Sequence, residues 1–199
     1  MVRLGLGVLT ISLCLALSAC GGGGGVSPAE QMALDIRGEL LETAGGSARV
    51  TLTADYGRRV YEYGVAMTWE REGETALTLT APENVAGVTA RVRAGEAALE
   101  YDGAWVETGP LDGDGLSPLE GLPLLLEYAQ TGWMAECGME ELDGEEALRV
   151  DCRDPEKASG EGRTCTLWFA PDTHALLRGE LARDGFTVLG CEFETFETW

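Results

Sequence analysis

From residue 48 onward, hydrophobic and polar residues alternate with a period of two. Val50, Leu52, Ala54 and Tyr56 alternate with Arg49, Thr51, Thr53 and Asp55. Tyr61, Tyr63, Val65, Met67 and Trp69 then share one face against Glu62, Gly64, Thr68 and Glu70. Successive side chains of a strand point to opposite faces, so this alternation predicts half-buried antiparallel strands. It recurs at Leu77 and Leu79, at Val88, Ala90 and Val92, at Ala97, Leu99 and Tyr101, and in a short strand around Trp105. The breaks between runs are turn dipeptides: Tyr56-Gly57, Glu72-Gly73, Ala94-Gly95 and Asp102-Gly103. Five more strands are predicted after residue 134. They carry Ala135, Cys137 and Met139; Leu148, Val150 and Cys152; Cys165, Leu167 and Phe169; Leu177, Gly179 and Leu181; and Leu189, Cys191 and Phe193.

Two stretches change the period to 3.6. Ser27-Pro28-Ala29-Glu30 joins a serine and glutamate at capping-box spacing to a proline at the first helical position. Met32, Ala33, Ile36 and Leu40 share a face there, and Gly45-Gly46 is read as the helix stop. Ser117-Pro118-Leu119-Glu120 is a second such start. Pro123 is expected to restart that helix after a short first turn, with Leu122, Leu125, Leu126 and Ala129 as its stripe before Gly132. The expected fold is therefore mainly β (α+β). It is a strongly curved antiparallel sheet of about eleven strands, an unclosed half-barrel, with the N-terminal and central helices packed on the concave face.

Areas turn this pattern into a functional expectation. Strands about 4.8 Å apart and about 17 Å long give such a sheet roughly 900 Å² of apolar face. Two helices, each about 24 Å long and about 10 Å wide, hide roughly half of it. The sheet must curl, and a curled sheet of this size can keep an apolar pocket. The cavity candidates are Tyr63, Trp69, Leu79, Val92, Leu99, Trp105, Leu125, Trp133 and Phe169.

The N-terminus changes the picture. Arg3, an apolar run from Leu4 to Ala16, Leu17-Ser18-Ala19-Cys20 and five glycines form an export signal too short to span a bilayer as a mature helix. The tetrapeptide resembles the lipobox of bacterial lipoproteins, in which the cysteine thiol receives a diacylglycerol and becomes the first mature residue. The expected organisation is a signal peptide over 1–19, a lipidated Cys20 with a glycine-rich tether over 20–26, and one domain over 27–199. The expected location is extracytoplasmic, anchored to the bacterial cell membrane.

Charge limits the partners. The chain has 14 basic and 34 acidic residues and a net charge of -20, which repels nucleic acid and anionic headgroups. Membrane attachment must then come from the acyl chains on Cys20. Cys137, Cys152, Cys165 and Cys191 all fall on apolar strand faces, as inward disulfides or as buried thiols. Cys152 and Cys165 flank the loop 153–164 and would face each other in a hairpin; pairing Cys137 with Cys191 follows only by elimination. With no Cys-x-x-Cys and one histidine, neither a zinc site nor a redox centre is expected. The aspartates of Leu111–Gly115 lack calcium-loop spacing, so no metal or cofactor is expected. Nor is an enzyme: His174 lies in a turn between strands, the pairs Glu140-Glu141 and Glu145-Glu146 lie on outward faces or turns, and no nucleophile elbow or phosphate loop is present.

Taken in order, these features resemble the LolA/LolB-like lipoprotein-carrier family, and within it the lipid-anchored, clostridial-type branch of germination lipoproteins. The residues that carry the resemblance are the lipobox with its helix, the phrase Leu77-Thr78-Leu79-Thr80-Ala81-Pro82-Glu83, the Ser117-Pro118 to Gly132 leucine helix, and the tail from Leu167-Trp168-Phe169-Ala170-Pro171-Asp172 through Glu180 to Phe193 and Phe196. The resemblance implies an eleven-stranded unclosed barrel with helices as a lid, and in carrier members a cavity for acyl chains. It implies a lipid or lipoprotein as ligand or, alternatively, an envelope scaffold that docks a protein such as a cell-wall or sporulation/germination enzyme. No residue matches the lid-locking arginine of the periplasmic carriers; Arg58 and Arg59 lie only near that region.

Overall fold

Asp-Gly pairs set the first rule of the architecture. Asp102-Gly103, Asp143-Gly144 and Asp184-Gly185 all have positive φ, at 49° and 76°, 54° and 92°, and 50° and 79°. Two consecutive left-handed residues make the tight turn whose twist matches that of paired strands. Each therefore closes a hairpin, and antiparallel neighbours follow one another along the chain. The computed structural model describes residues 25–93, 96–110 and 116–199. The export segment, Cys20, the Ala94-Gly95 turn and the Leu111–Gly115 loop lie outside the described residues.

The elements run α1 (Pro28–Glu42), β1 (Gly45–Asp55), β2 (Val60–Glu70), β3 (Thr75–Ala81), β4 (Thr89–Arg93), β5 (Glu96–Tyr101), β6 (Ala104–Pro110), α2 (Pro118–Thr131), β7 (Met134–Leu142), β8 (Glu145–Arg153), β9 (Arg163–Phe169), β10 (Leu176–Arg183) and β11 (Phe186–Thr198). All eleven strands form one antiparallel sheet in the order β6-β5-β4-β3-β2-β1-β11-β10-β9-β8-β7. The long-range β1–β11 pairing, from Gly46↔Thr198 to Ala54↔Leu189, joins the two meanders. The sheet does not close, so β6 and β7 are its edges. This is the expected unclosed half-barrel with two helices.

Both helices begin as their sequences dictate. The Ser27 hydroxyl accepts from the Glu30 amide at 3.1 Å while Glu30 accepts from the Ser27 amide at 2.7 Å, a complete capping box. At α2 the Ser117 hydroxyl accepts from the Glu120 amide at 3.3 Å and donates to the Glu120 carboxylate at 2.8 Å. The helices lock to each other end to end. Arg37 donates to the carbonyls of Ala129 at 3.3 Å and Gly132 at 2.7 Å, the orphan acceptors at the α2 C-terminus, and Gln130 donates to the Leu40 carbonyl at 3.2 Å. His174 Nδ1 lies 2.8 Å from Glu39, joining the β9–β10 turn to α1. Beneath them lies a dry core that includes Leu52, Met67, Leu122, Leu125, Leu148, Leu167, Leu176, Leu181 and Leu189, each 0 or 1% exposed.

The structure corrects three expectations. Gly45 and Gly46 do not stop α1, which ends at Glu42; they open β1. A Cβ on Gly46 would sit 2.1 Å from the Trp69 ring, so the glycine makes room for an inward indole. Pro123 lies inside one continuous helix and does not restart it. At the sixth helical position it has no amide to give the Leu119 carbonyl, so the helix runs on with one i→i−4 bond missing. The four body cysteines are free thiols. Cys137 and Cys191 stand on β7 and β11, four strand spacings or about 19 Å apart in the sheet order, against a limit of about 7 Å between bridged Cα atoms. Cys152 and Cys165 do face each other across β8 and β9, yet both pack as small apolar side chains, 1% and 0% exposed.

Candidate functional site

The two helices do not share the concave face evenly. α1 packs on α2, β7 and β8, and α2 packs on β9, β10 and β11. The inward face toward β6 is left with thinner cover. One cross-strand ladder measures the change. It runs Leu77–Ala90–Leu99–Val106 across β3, β4, β5 and β6. Leu77 and Ala90 are 3% and 2% exposed, Leu99 is half-buried, and Val106 is 59% exposed. Along about 14 Å of sheet, the spacing of four strands, the same apolar register passes from core to open surface.

Neighbouring ladders extend this patch. Val92 opposes Ala97, and Leu79 opposes Val65; Leu79 and Val92 are both half-buried. Every inward position of β1 to β6 carries an uncharged side chain, whereas the outward positions hold Arg49, Glu62, Arg91, Glu100 and Glu107. A tyrosine cluster stands around the β1–β2 turn. Tyr56 and Tyr61 have ring centroids 6.2 Å apart, and Tyr61 stacks on Tyr63 at 6.4 Å. The Tyr56 hydroxyl donates to the Leu116 carbonyl at 3.2 Å, tying the cluster to the chain that enters α2. Apolar area left open to water along these ladders can be buried by an apolar chain.

The predicted site residues divide three ways. Tyr63, Leu79, Val92 and Leu99 are half-buried and stand on the inward face of β2, β3, β4 and β5 respectively. Trp69, Leu125 and Phe169 are 7%, 0% and 3% exposed and belong to the closed core. Trp69 stacks on Phe196 at 5.4 Å, and Leu125 fills the space over Gly179. Trp105 and Trp133 do not face inward; they are 53% and 47% exposed. Trp105 pairs with Glu100 on the convex face, because the Asp102-Gly103 turn sets Tyr101 opposite Ala104 and so turns Val106, not Trp105, toward the inside. Trp133 lies in the link between α2 and β7, 5.2 Å from the Arg153 guanidinium. Val106 was missed, although the two-residue turn held the register that places it.

Burial pushes the Cys152 thiol up to about 11 and the Cys191 thiol up to about 12, lifts Cys165 well above the ordinary thiol value, and raises Cys137 as well. Among the described residues no three metal-ligating side chains come together.

No protein-family model matches the chain, and no curated protein matches it. Solved structures do. An uncharacterized conserved protein from Thermus thermophilus is similar with a TM-score of 0.50 at 13% identity, over 85% of this chain and 86% of that one. A LolA superfamily protein from Nitrosomonas europaea has a TM-score of 0.42 at 9% identity, over 84% and 92%. The structure of the CwlD amidase from Clostridioides difficile in complex with the GerS lipoprotein contains a match with a TM-score of 0.42 at 15% identity, over 86% and 96%. At 13% identity the likeness to the Thermus thermophilus protein establishes the fold alone.

Proposed function

We propose that the protein is a non-enzymatic, extracytoplasmic lipoprotein, anchored through Cys20, that binds an apolar ligand in its half-barrel: a single acyl chain or the acylated end of another lipoprotein. The observation that carries this reading is the Leu77–Ala90–Leu99–Val106 ladder, which runs uncharged from core to solvent beside half-buried Leu79 and Val92. Burying a chain of ten methylenes there is worth roughly 8 kcal/mol before ordering costs. No helix among the described residues is long and apolar enough to cross a membrane.

The test is uptake of a fluorescent fatty acid by the full chain in solution. Leu99→Asp is expected to lower affinity at least tenfold, and because half-buried Leu99 packs against the core it should also lower the unfolding midpoint, so uptake is compared at a temperature where both proteins are folded. Equal uptake by the wild type and Leu99→Asp would remove this reading. The anchor has its own test: Cys20→Ser should move the protein from the membrane fraction to the soluble one.

A second reading rests on the edges. β7 is an open edge strand with Met139 40% exposed, beside the exposed Trp133, and an open edge can take a partner strand. In this scaffold version an envelope protein docks on the outside and the apolar patch is incidental. Crosslinking at Met139 that recovers a specific envelope protein, together with an absence of fatty-acid uptake, would favour it.

A further inference from the structure

The convex face, which the apolar-ligand reading does not use, carries a hollow of its own near the β6 edge. Its volume is about 410 Å³, within the range of about 300–1,000 Å³ typical of small-molecule sites. Strand register explains why it exists. The outward ladder Ala76–Arg91–Ala98–Glu107 crosses β3 to β6, and its neighbour runs Thr78–Thr89–Glu100–Trp105. Beside a bulge at Ala97/Ala98, the register puts the small buried Ala98, 8% exposed, on this face between the long side chains of Arg91 and Glu107. Ala98 is the floor, and Trp105, Glu107, Arg91 and Glu96 are walls.

The walls differ in kind. Trp105 is 53% exposed, an indole face available to a ligand. Arg91 is fixed between two carboxylates, with Nη1 2.6 Å from Glu74 and Nε 3.0 Å from Glu100. Arg93 faces Glu96 directly across the β4–β5 pair. The site thus offers guanidinium donors and carboxylate acceptors of both signs, interleaved, beside a single aromatic ring. An anion would meet the carboxylates, and a bare cation would meet two guanidiniums with one ring where a cage needs several. A neutral molecule with an apolar face and a rim of hydroxyls meets neither penalty. It stacks its C–H face on the indole and finds both donors and acceptors at its edge.

We infer that this hollow binds a neutral pyranose unit of a saccharide, stacked on Trp105 and held by Arg91, Glu107 and the Arg93–Glu96 pair. The site is independent of the apolar patch, on the opposite face of the same strands, so a sugar and an acyl chain can be bound together.

The experiment is saturation-transfer NMR on the full chain in a non-ionic polyoxyethylene detergent, with cellobiose and N,N′-diacetylchitobiose as probes and choline and sulfate as competitors. Transfer to the ring C–H protons of at least one disaccharide is expected. It should fall at least tenfold in Trp105→Ala, recover in part in Trp105→Phe, and drop in Glu107→Gln, with fatty-acid uptake unchanged in all three. No transfer to either sugar, transfer unaffected by Trp105→Ala, or displacement by choline or sulfate at lower concentration than the sugars would overturn the inference. Loss of fatty-acid uptake alone bears on the apolar-ligand reading and leaves the sugar result standing.

Discussion

The two arms of the sheet are written in the same alternating code and end in different states. On the β7–β11 arm, two helices close over the inward face, and Leu148, Leu167, Leu181 and Leu189 are fully buried. On the β3–β6 arm the inward residues are equally apolar, yet burial falls from Leu77 to Val106 across four strands. Alternation therefore reports which face is apolar and does not report what covers it. The cover depends on where two short helices come to rest. Here Arg37, Gln130 and His174 fasten them over one arm.

Breaking the contrast should have unequal costs. The largest is expected in the covered arm, where Leu125→Ala removes a fully buried side chain packed over Gly179. It should cost about 2–5 kcal/mol in urea unfolding, whereas Leu99→Ala should cost less than about 1 kcal/mol and act on fatty-acid affinity instead. Filling a gap should also hurt. Gly46→Ala puts a methyl 2.1 Å from the Trp69 ring and is expected to cost about 1–3 kcal/mol or more, read as a lowered unfolding midpoint.

The buried thiols sharpen the same comparison through pH. Cys152 and Cys191 are raised from 9.0 to about 11 and about 12, so in that range the unfolded chain binds fewer protons than the folded one. Their contribution is whole below pH 9 and is lost as pH climbs toward those raised values. The urea midpoint should decline through that window, less steeply in Cys191→Ala. Alkylation at pH 8 should reach half-buried Cys137 first, and Cys165 and Cys191 only on unfolding. The smallest effect should come from the helix latch. Glu39→Gln removes a partly exposed pair with His174 and is expected to cost less than about 1 kcal/mol.

Much of this was legible in the chain. Period-two runs located all eleven strands, and Ser27 and Ser117 marked both helix starts, because alternation and capping depend on residues within a few positions. The Asp102-Gly103 turn also held the register that sends Val106 inward and Trp105 outward. Reading Trp105 as an inward ring set side-chain size above that register, and size alone does not choose a face. Gly45-Gly46 has a similar lesson: a local stop signal was overridden by the need of a distant indole for space.

The sequence by itself determined which residues form strands, which face of each is apolar, and that the inner face exceeds what two helices hide. Only the tertiary structure decided which arm the helices cover, that Cys137 and Cys191 stand on distant strands, and that a hollow opens over Ala98. Those outcomes come from pairings such as Gly46↔Thr198, which join residues far apart in the chain. Local propensity cannot set such distances; they follow from the one packing that buries the most apolar surface without crowding it.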